Sequence, residues 1–236
     1  MIADRVARAL AARDVHYGWV VVAVTFLVML VTAGAVGAPG VFIVPLEQEF
    51  GWRRDDISSA LAIRFLLFGL MAPFAAIFMN RFGVRRVVLV ALSIIGAALT
   101  VSLFMDRVWQ LVLLWGVVVG LGTGLMAMVL GATVAMRWFS VRRGLVLGLL
   151  TASTASGQLV FLPALAQLTE VYGWRVAVSL VCGALLVAAL AVLALLRERP
   201  SEIGLPIYGE REVAPPAPGM QTGGFGAALL APLAVL

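Results

Sequence analysis

Arg64 stands in an otherwise apolar run, "LAIRFLLFGLM" at 61–71. A guanidinium carries N–H donors in a planar fork and grips a carboxylate through two parallel hydrogen bonds, which an ammonium cannot reproduce. Further along, Thr151, Thr154 and Gln158 recur at the spacing of one helical face. That face either lines a cavity or hydrogen-bonds a neighbouring helix. The chemistry these residues suit is the holding of a polar or anionic solute, not the breaking of its bonds. His16 is the only histidine and reads as a surface residue, the alternative being a ligand or proton relay. Cys182 is the only cysteine, which excludes disulfide frameworks and cysteine metal sites. No nucleophile–base pair, metal cluster or phosphate loop is visible, so neither an enzyme nor a cofactor is expected.

The elements that would position Arg64 follow from composition. The chain is 63% hydrophobic and 12% charged, with a mean hydropathy of +1.08. Soluble domains average about 45–50% apolar and about 25% charged, so this is an integral membrane protein. A helix needs roughly 20 apolar residues to cross the hydrocarbon. Six stretches qualify, at about 17–45, 57–79, 85–105, 108–136, 144–168 and 173–196. Before them, 1–16 is a cytoplasmic segment in which Ile2, Val6 and Leu10 oppose Arg5 and Arg8, the pattern of a short amphipathic surface helix. After them, 197–226 reads as a flexible cytoplasmic linker, and 227–236 as an apolar tail too short to cross. The first span is too long for a signal peptide, and five more follow it.

Arg64 then lies on the second span, about four residues or ~6 Å outward of its centre at ~1.5 Å per residue. A charge at that depth costs roughly 2.5–3.5 kcal/mol on insertion scales and needs compensation. Three readings stand: a substrate anion, a structural hydrogen bond between helices, or snorkelling to the outer surface. No Asp or Glu lies well inside a span, so no proton carrier is evident.

The basic residues orient the bundle. All are arginine, which reads as codon bias in a GC-rich genome. With the N-terminus inside, cytoplasmic segments hold twelve of the 17, outer loops four, and Arg64 is left within a span. This positive-inside bias places both termini in the cytoplasm of a bacterial inner membrane. Three of the twelve sit in "MNRFGVRRVV" (79–88), which contains no acid.

Shifted by 90 residues, the sequence falls on itself. Trp19 meets Trp109, Gly34 meets Gly124, Arg53 meets Arg143 and Pro73 meets Pro163. "FGVR" at 82–85 meets "YGWR" at 172–175. Ninety residues is three spans, and an odd number of spans inverts the second copy. The expected fold is an all-α membrane protein of six transmembrane helices arranged as a 3+3 inverted repeat, the architecture nested in secondary transporters.

The loop "NRFGVRR" (80–86) resembles the signature between the second and third helices of the major facilitator superfamily, roughly Gly-x-x-x-Asp-Arg-x-Gly-Arg-Arg. Arg81, Gly83, Arg85 and Arg86 match, with Val84 inserted; Asn80 stands for the usual Asp and Ala76 for the usual Gly. "WFSVRRGLVLG" (138–148), "YGWR" (172–175) and "RPSEIGLPIYG" (199–209) are similar to the oxalate/formate-antiporter and monocarboxylate-porter branch. The resemblance implies half of a carrier moving a small organic anion, a mono- or dicarboxylate, by alternating access. It implies a gate at Asn80, Arg81, Gly83, Arg85 and Arg86, whose ionic part loses a charge with Asn80. It also implies a partner, either a missing C-terminal half or a second copy, so the chain is expected to be an incomplete half-transporter. Efflux of hydrophobic compounds, and a non-transporting scaffold or homodimeric pore, are the competing readings. Arg64 separates them, because an anion carrier needs a buried cation and the others do not. Gly116, Gly120 and Gly124 recur at i, i+4, i+8 on the fourth span, where small residues admit close helix packing. The expected substrate contacts are Arg64, Thr151, Thr154 and Gln158.

Overall fold

A computed structural model describes residues 15–210, with Arg5 and Ala7 before them; for residues 127 and 128 it describes the backbone. The amphipathic segment at 1–14, those two residues apart, lies outside the described residues, as do 211–226 of the linker and the tail at 227–236.

Among the described residues, six helices are long and apolar enough to cross a membrane. They are α1 (Gly18–Phe50), α2 (Arg54–Phe82), α3 (Val84–Ser102), α4 (Val108–Trp138), α5 (Arg143–Tyr172) and α6 (Trp174–Leu195). α1 runs to Phe50, beyond the expected end near 45, although Pro39 and Pro45 lie inside it. Proline is tolerated in such helices where neighbouring groups satisfy the carbonyl it orphans. α4 is irregular: Val112–Val118 winds as a π-helix, and a turn at Leu125–Met126 precedes Ala127–Trp138.

The helix ends repeat at the 90-residue shift. α1 begins at Gly18 and α4 at Val108; α2 ends at Phe82 and α5 at Tyr172; α3 begins at Val84 and α6 at Trp174. One glycine joins each second helix to its third. Gly83 has φ 89° and ψ 151°, and Gly173 has φ 87° and ψ 162°, a region essentially closed to other residues. The two junctions therefore turn the chain in the same way on opposite ends of the bundle.

The repeats interlock. α1 packs on α5, and its counterpart α4 packs on α2; α3 and α6 pack on each other; α1 also meets α6 as α4 meets α3. Each first helix thus buries itself against the second helix of the other repeat. The result is the expected 3+3 inverted repeat. α1 and α4 are the most covered spans, and α2 and α5 the least. α2 exposes Phe65, Leu66, Leu70, Phe74 and Ile77.

The segment expected to be a flexible linker is folded over 197–210. Pro200–Ile203 forms a 3-10 turn, and Tyr208 pairs with Phe139: its N–H donates to the Trp138 carbonyl (3.0 Å), and Ser140 donates back to the Tyr208 carbonyl (3.0 Å). His16 is held there too. Its Nε2 meets the Pro206 carbonyl at 2.9 Å, and its Nδ1 accepts from Gly18 N–H at 3.1 Å. Sequence hydropathy missed this because the stabilising groups are an aromatic cluster of His16, Trp19, Phe139 and Tyr208 drawn from three distant segments.

Candidate functional site

Arg64 is 2% exposed. α2 brings it against Gly120 on α4, where a Cβ would stand 3.1 Å from the Arg64 Cα, so only a glycine admits the two backbones so closely. From there the side chain points into the bundle. One guanidinium nitrogen, Nη2, donates to the Ala35 carbonyl at 2.9 Å. Ala35 lies four residues before Pro39, and Pro39 has no N–H to give that carbonyl. Arg64 replaces the lost helical bond from another helix. Among the described residues no carboxylate lies within ion-pair distance of Arg64.

Arg64 lines a small, almost wholly apolar cavity of about 10 Å³, roughly the space for one water. Its walls come from α1 (Ala38, Phe42), α4 (Trp115, Val119) and α6 (Val178, Val181), with Leu99 of α3. Trp115 is also 2% exposed, sits within the π-helix, and its indole N–H has no partner among the described residues.

Thr151, Thr154 and Gln158 are exposed on α5. Thr151 turns its hydroxyl to the Leu147 carbonyl of its own helix (2.9 Å). The three are exposed whereas Arg64 is buried, and no hydrogen bond among the described residues joins it to any of them. The expected four-residue constellation is therefore not brought together in this arrangement. The 90-residue shift pairs Arg64 with Thr154, yet one is buried and the other exposed; the repeat sets their depth and not their surroundings.

At the opposite end of α2 the signature loop is tied down by residues outside it. Glu198, just beyond α6, accepts from the backbone N–H of Val84 (2.7 Å) and of Arg85 (2.8 Å), the first turn of α3. A carboxylate there satisfies helix donors that have no partner within the helix and complements the helix dipole. Arg137, in the last turn of α4, donates to Glu198 (3.3 Å), to the Asn80 side-chain oxygen (3.1 Å) and to the Met79 carbonyl (3.3 Å). Arg85 donates to the Leu193 carbonyl near the end of α6 (2.6 Å). Arg81 lies over the Phe82 ring, 5.5 Å from its centroid, and Arg86 is exposed. At the other end of the bundle the inverted counterpart also uses an acid: Glu49, late in α1, accepts from the Trp174 indole (2.5 Å) and pairs with Arg175 at the start of α6.

Glu198 and Arg137 were missed in the sequence. Glu198 sits in a stretch read as linker, and Arg137 in one counted only for its charge. The available signal was that each glycine junction opens a helix whose first donors want an acid. Gly116 and Gly124, like Gly120, face α2, where a Cβ would meet the backbone oxygens of Ala60 and Phe68 at 3.0 and 3.1 Å.

The chain is similar to curated proteins each named as a monocarboxylate transporter. It is 29% identical to mouse (Mus musculus) monocarboxylate transporter 9 over 184 residues, 78% of this chain and 36% of that protein. It is 30% identical to human (Homo sapiens) monocarboxylate transporter 14 over 182 residues, 73% of this chain and 36% of that protein. Mouse monocarboxylate transporter 11 is 31% identical over 183 residues, 73% of this chain and 40% of its own length. The chain thus spans between a third and two fifths of the length of these relatives. The model of the Major Facilitator Superfamily matches residues 25–235. That match takes in the glycine junctions, the interlocked repeats and the tied loop alike, and the chain belongs to this superfamily of multi-pass membrane proteins.

Proposed function

We propose that the chain is a six-helix half of a secondary carrier that moves a small organic anion, a mono- or dicarboxylate, by alternating access. It sits in a bacterial inner membrane with both termini cytoplasmic. A second six-helix half, in a longer polypeptide or a second copy, covers the face that α2 and α5 leave open. The observation that carries this reading is Arg64: a guanidinium at mid-membrane, 2% exposed, with no acid among the described residues to neutralise it. A buried cation without a counter-charge is costly, and an anionic solute supplies one. The names of the relatives, monocarboxylate transporters, support the same class of solute. A carboxylate is larger than the cavity, so it reaches Arg64 when α1 moves about Pro39 and releases Ala35. Thr151, Thr154 and Gln158 meet the rest of the solute from the open face.

The test is uptake of labelled carboxylates into liposomes holding the full-length protein, normalised to inserted protein. Arg64→Ala loses nearly all uptake and Arg64→Lys most of it, since losing a shielded charge pair costs about 2–5 kcal/mol in affinity. Pro39→Ala gives Ala35 a donor within α1 and removes the structural need for Arg64. If the double variant Pro39→Ala/Arg64→Ala regains uptake, Arg64 serves only the helix, and the anion reading falls.

A further inference from the structure

The stretch "RPSEIGLPIYG" (199–209) has no part in the proposed carrier, yet the fold pins it at both ends. Just before it, Glu198 is tied to α3 and to Arg137; near its far end Pro206 holds His16 and Tyr208 pairs with Phe139. Between the pins the chain turns through Pro200–Ile203 and the left-handed Gly204, φ 68°. A cavity of about 200 Å³ opens there against the last turn of α4. Met136 and Arg137 line it from α4, and Arg199, Ser201, Leu205 and Ile207 from the segment. The wall is divided between apolar groups and hydrogen-bond donors, and no acid lines it. Arg137 spends three of its five N–H donors on Glu198, Asn80 and Met79, which hold it in place. The Arg199 and Ser201 side chains make no hydrogen bond or ion pair among the described residues.

Arg199 is close enough to Arg137 for the two charges to repel, with Glu198 the acid beside them. Two arginines against one carboxylate leave a single positive charge in surplus. A phosphate monoester carries about −1.5 to −2 at neutral pH and overshoots it. A phosphodiester carries one negative charge, accepts from several donors at once, and in a phospholipid arrives with apolar carbon attached. A zwitterionic headgroup would bring a further cation to a site already in surplus. Basic pockets at the cytoplasmic ends of membrane helices suit anionic headgroups. We infer that this cavity is a headgroup site for an anionic phospholipid. Arg137, Arg199 and Ser201 hold its phosphodiester, and Met136, Leu205 and Ile207 meet its glycerol and first acyl carbons. The leaflet is the cytoplasmic one in the orientation proposed above, which is all that this site takes from the proposed function.

The experiment is thermal unfolding of the full-length protein in nanodiscs of phosphatidylcholine, and in nanodiscs of equal parts phosphatidylcholine and phosphatidylglycerol. A ligand that binds only the folded state raises the midpoint, here by about 2–4 °C with phosphatidylglycerol. Arg199→Gln removes a side chain without partners, so it leaves the midpoint in phosphatidylcholine unchanged and loses most of the rise. Ser201→Ala drops one donor and loses a smaller part. Arg142→Gln removes the same charge from the same end of the bundle, outside the cavity, and keeps the rise. Equal midpoints in the two lipids overturn the site, as does a full rise in Arg199→Gln. An equal loss in Arg142→Gln shows attraction to the leaflet as a whole and overturns it too. Glycerol phosphate added to phosphatidylcholine nanodiscs gives no rise; an equal rise would make the occupant a soluble phosphate and overturn the lipid. Should Arg199→Gln fail to fold, Ser201→Ala and Arg142→Gln decide. Both leaflets carry the lipid and no arm uses substrate, so failure here is read separately from the uptake test and from the orientation.

Discussion

Removing the Glu198 carboxylate should release α3 from α6 and α4 together. The group accepts two backbone N–H bonds, at 2.7 and 2.8 Å, and one longer bond from Arg137 at 3.3 Å. Hydrogen bonds to a charged group contribute about 1.5–3 kcal/mol each when shielded. The Glu198 side chain is 23% exposed, so water takes over part of each bond on substitution and the Arg137 pair adds little. The expected cost of Glu198→Ala is then about 2–4 kcal/mol, most of it from the two N–H bonds. Glu198→Gln keeps one acceptor oxygen and loses the charge, and should fall near half of that. The assay is reversible unfolding in mixed detergent micelles, with Arg137→Gln and the double variant completing a cycle. If Glu198→Ala and Glu198→Gln both unfold within about 0.5 kcal/mol of the parent, the tie contributes nothing measurable. The helix N-terminus would then be satisfied by water alone.

The two glycine junctions share a backbone conformation but not their surroundings, so alanine should separate the effects. Both Gly83→Ala and Gly173→Ala carry the strain of a forbidden φ, about 1–3 kcal/mol. Only at Gly83 does the new Cβ collide with the Glu198 carboxylate, at 2.5 Å, while Gly173 has open space; Gly83→Ala should cost more, and the excess should vanish in a Glu198→Ala background. Gly120→Val should prevent α4 from seating on α2 and abolish folded yield, measured by size-exclusion chromatography, whereas Gly148→Val on the exposed face of α5 should not. Phe82 and Phe104 are exposed at opposite ends of α2 and α3. With Cys182 replaced by Ala, single cysteines at these positions should react with an impermeant maleimide from opposite sides of the membrane; reaction from one side only would overturn the orientation.

Much of the architecture was written locally. A membrane helix is a contiguous run of apolar residues, so six runs announce six helices. The 90-residue repeat survives as a proline, a glycine and an arginine at constant spacing, the first two because each acts on its own stretch of backbone. Those residues located the junctions that the helix ends at Phe82 and Tyr172 then showed. What the sequence by itself could not determine was rotation. α2 is apolar nearly all round at membrane depth, so no amphipathic stripe states which side of it faces the bundle. Arg64 was legible as a charge at mid-depth, but its direction was not. It could have met Thr151, Thr154 and Gln158 across an open face; the packing of α2 on α4 turned it inward instead. Its partner was equally hidden, because the Ala35 carbonyl is free only through Pro39 and within reach only once α1 and α2 are placed. Glu198 tells the same story over longer range. It is one acid after the last span until the fold carries it to the start of α3, 114 residues back in the chain. Local hydrophobicity and backbone chemistry determine the elements, whereas partners supplied by another helix exist only in the assembled bundle.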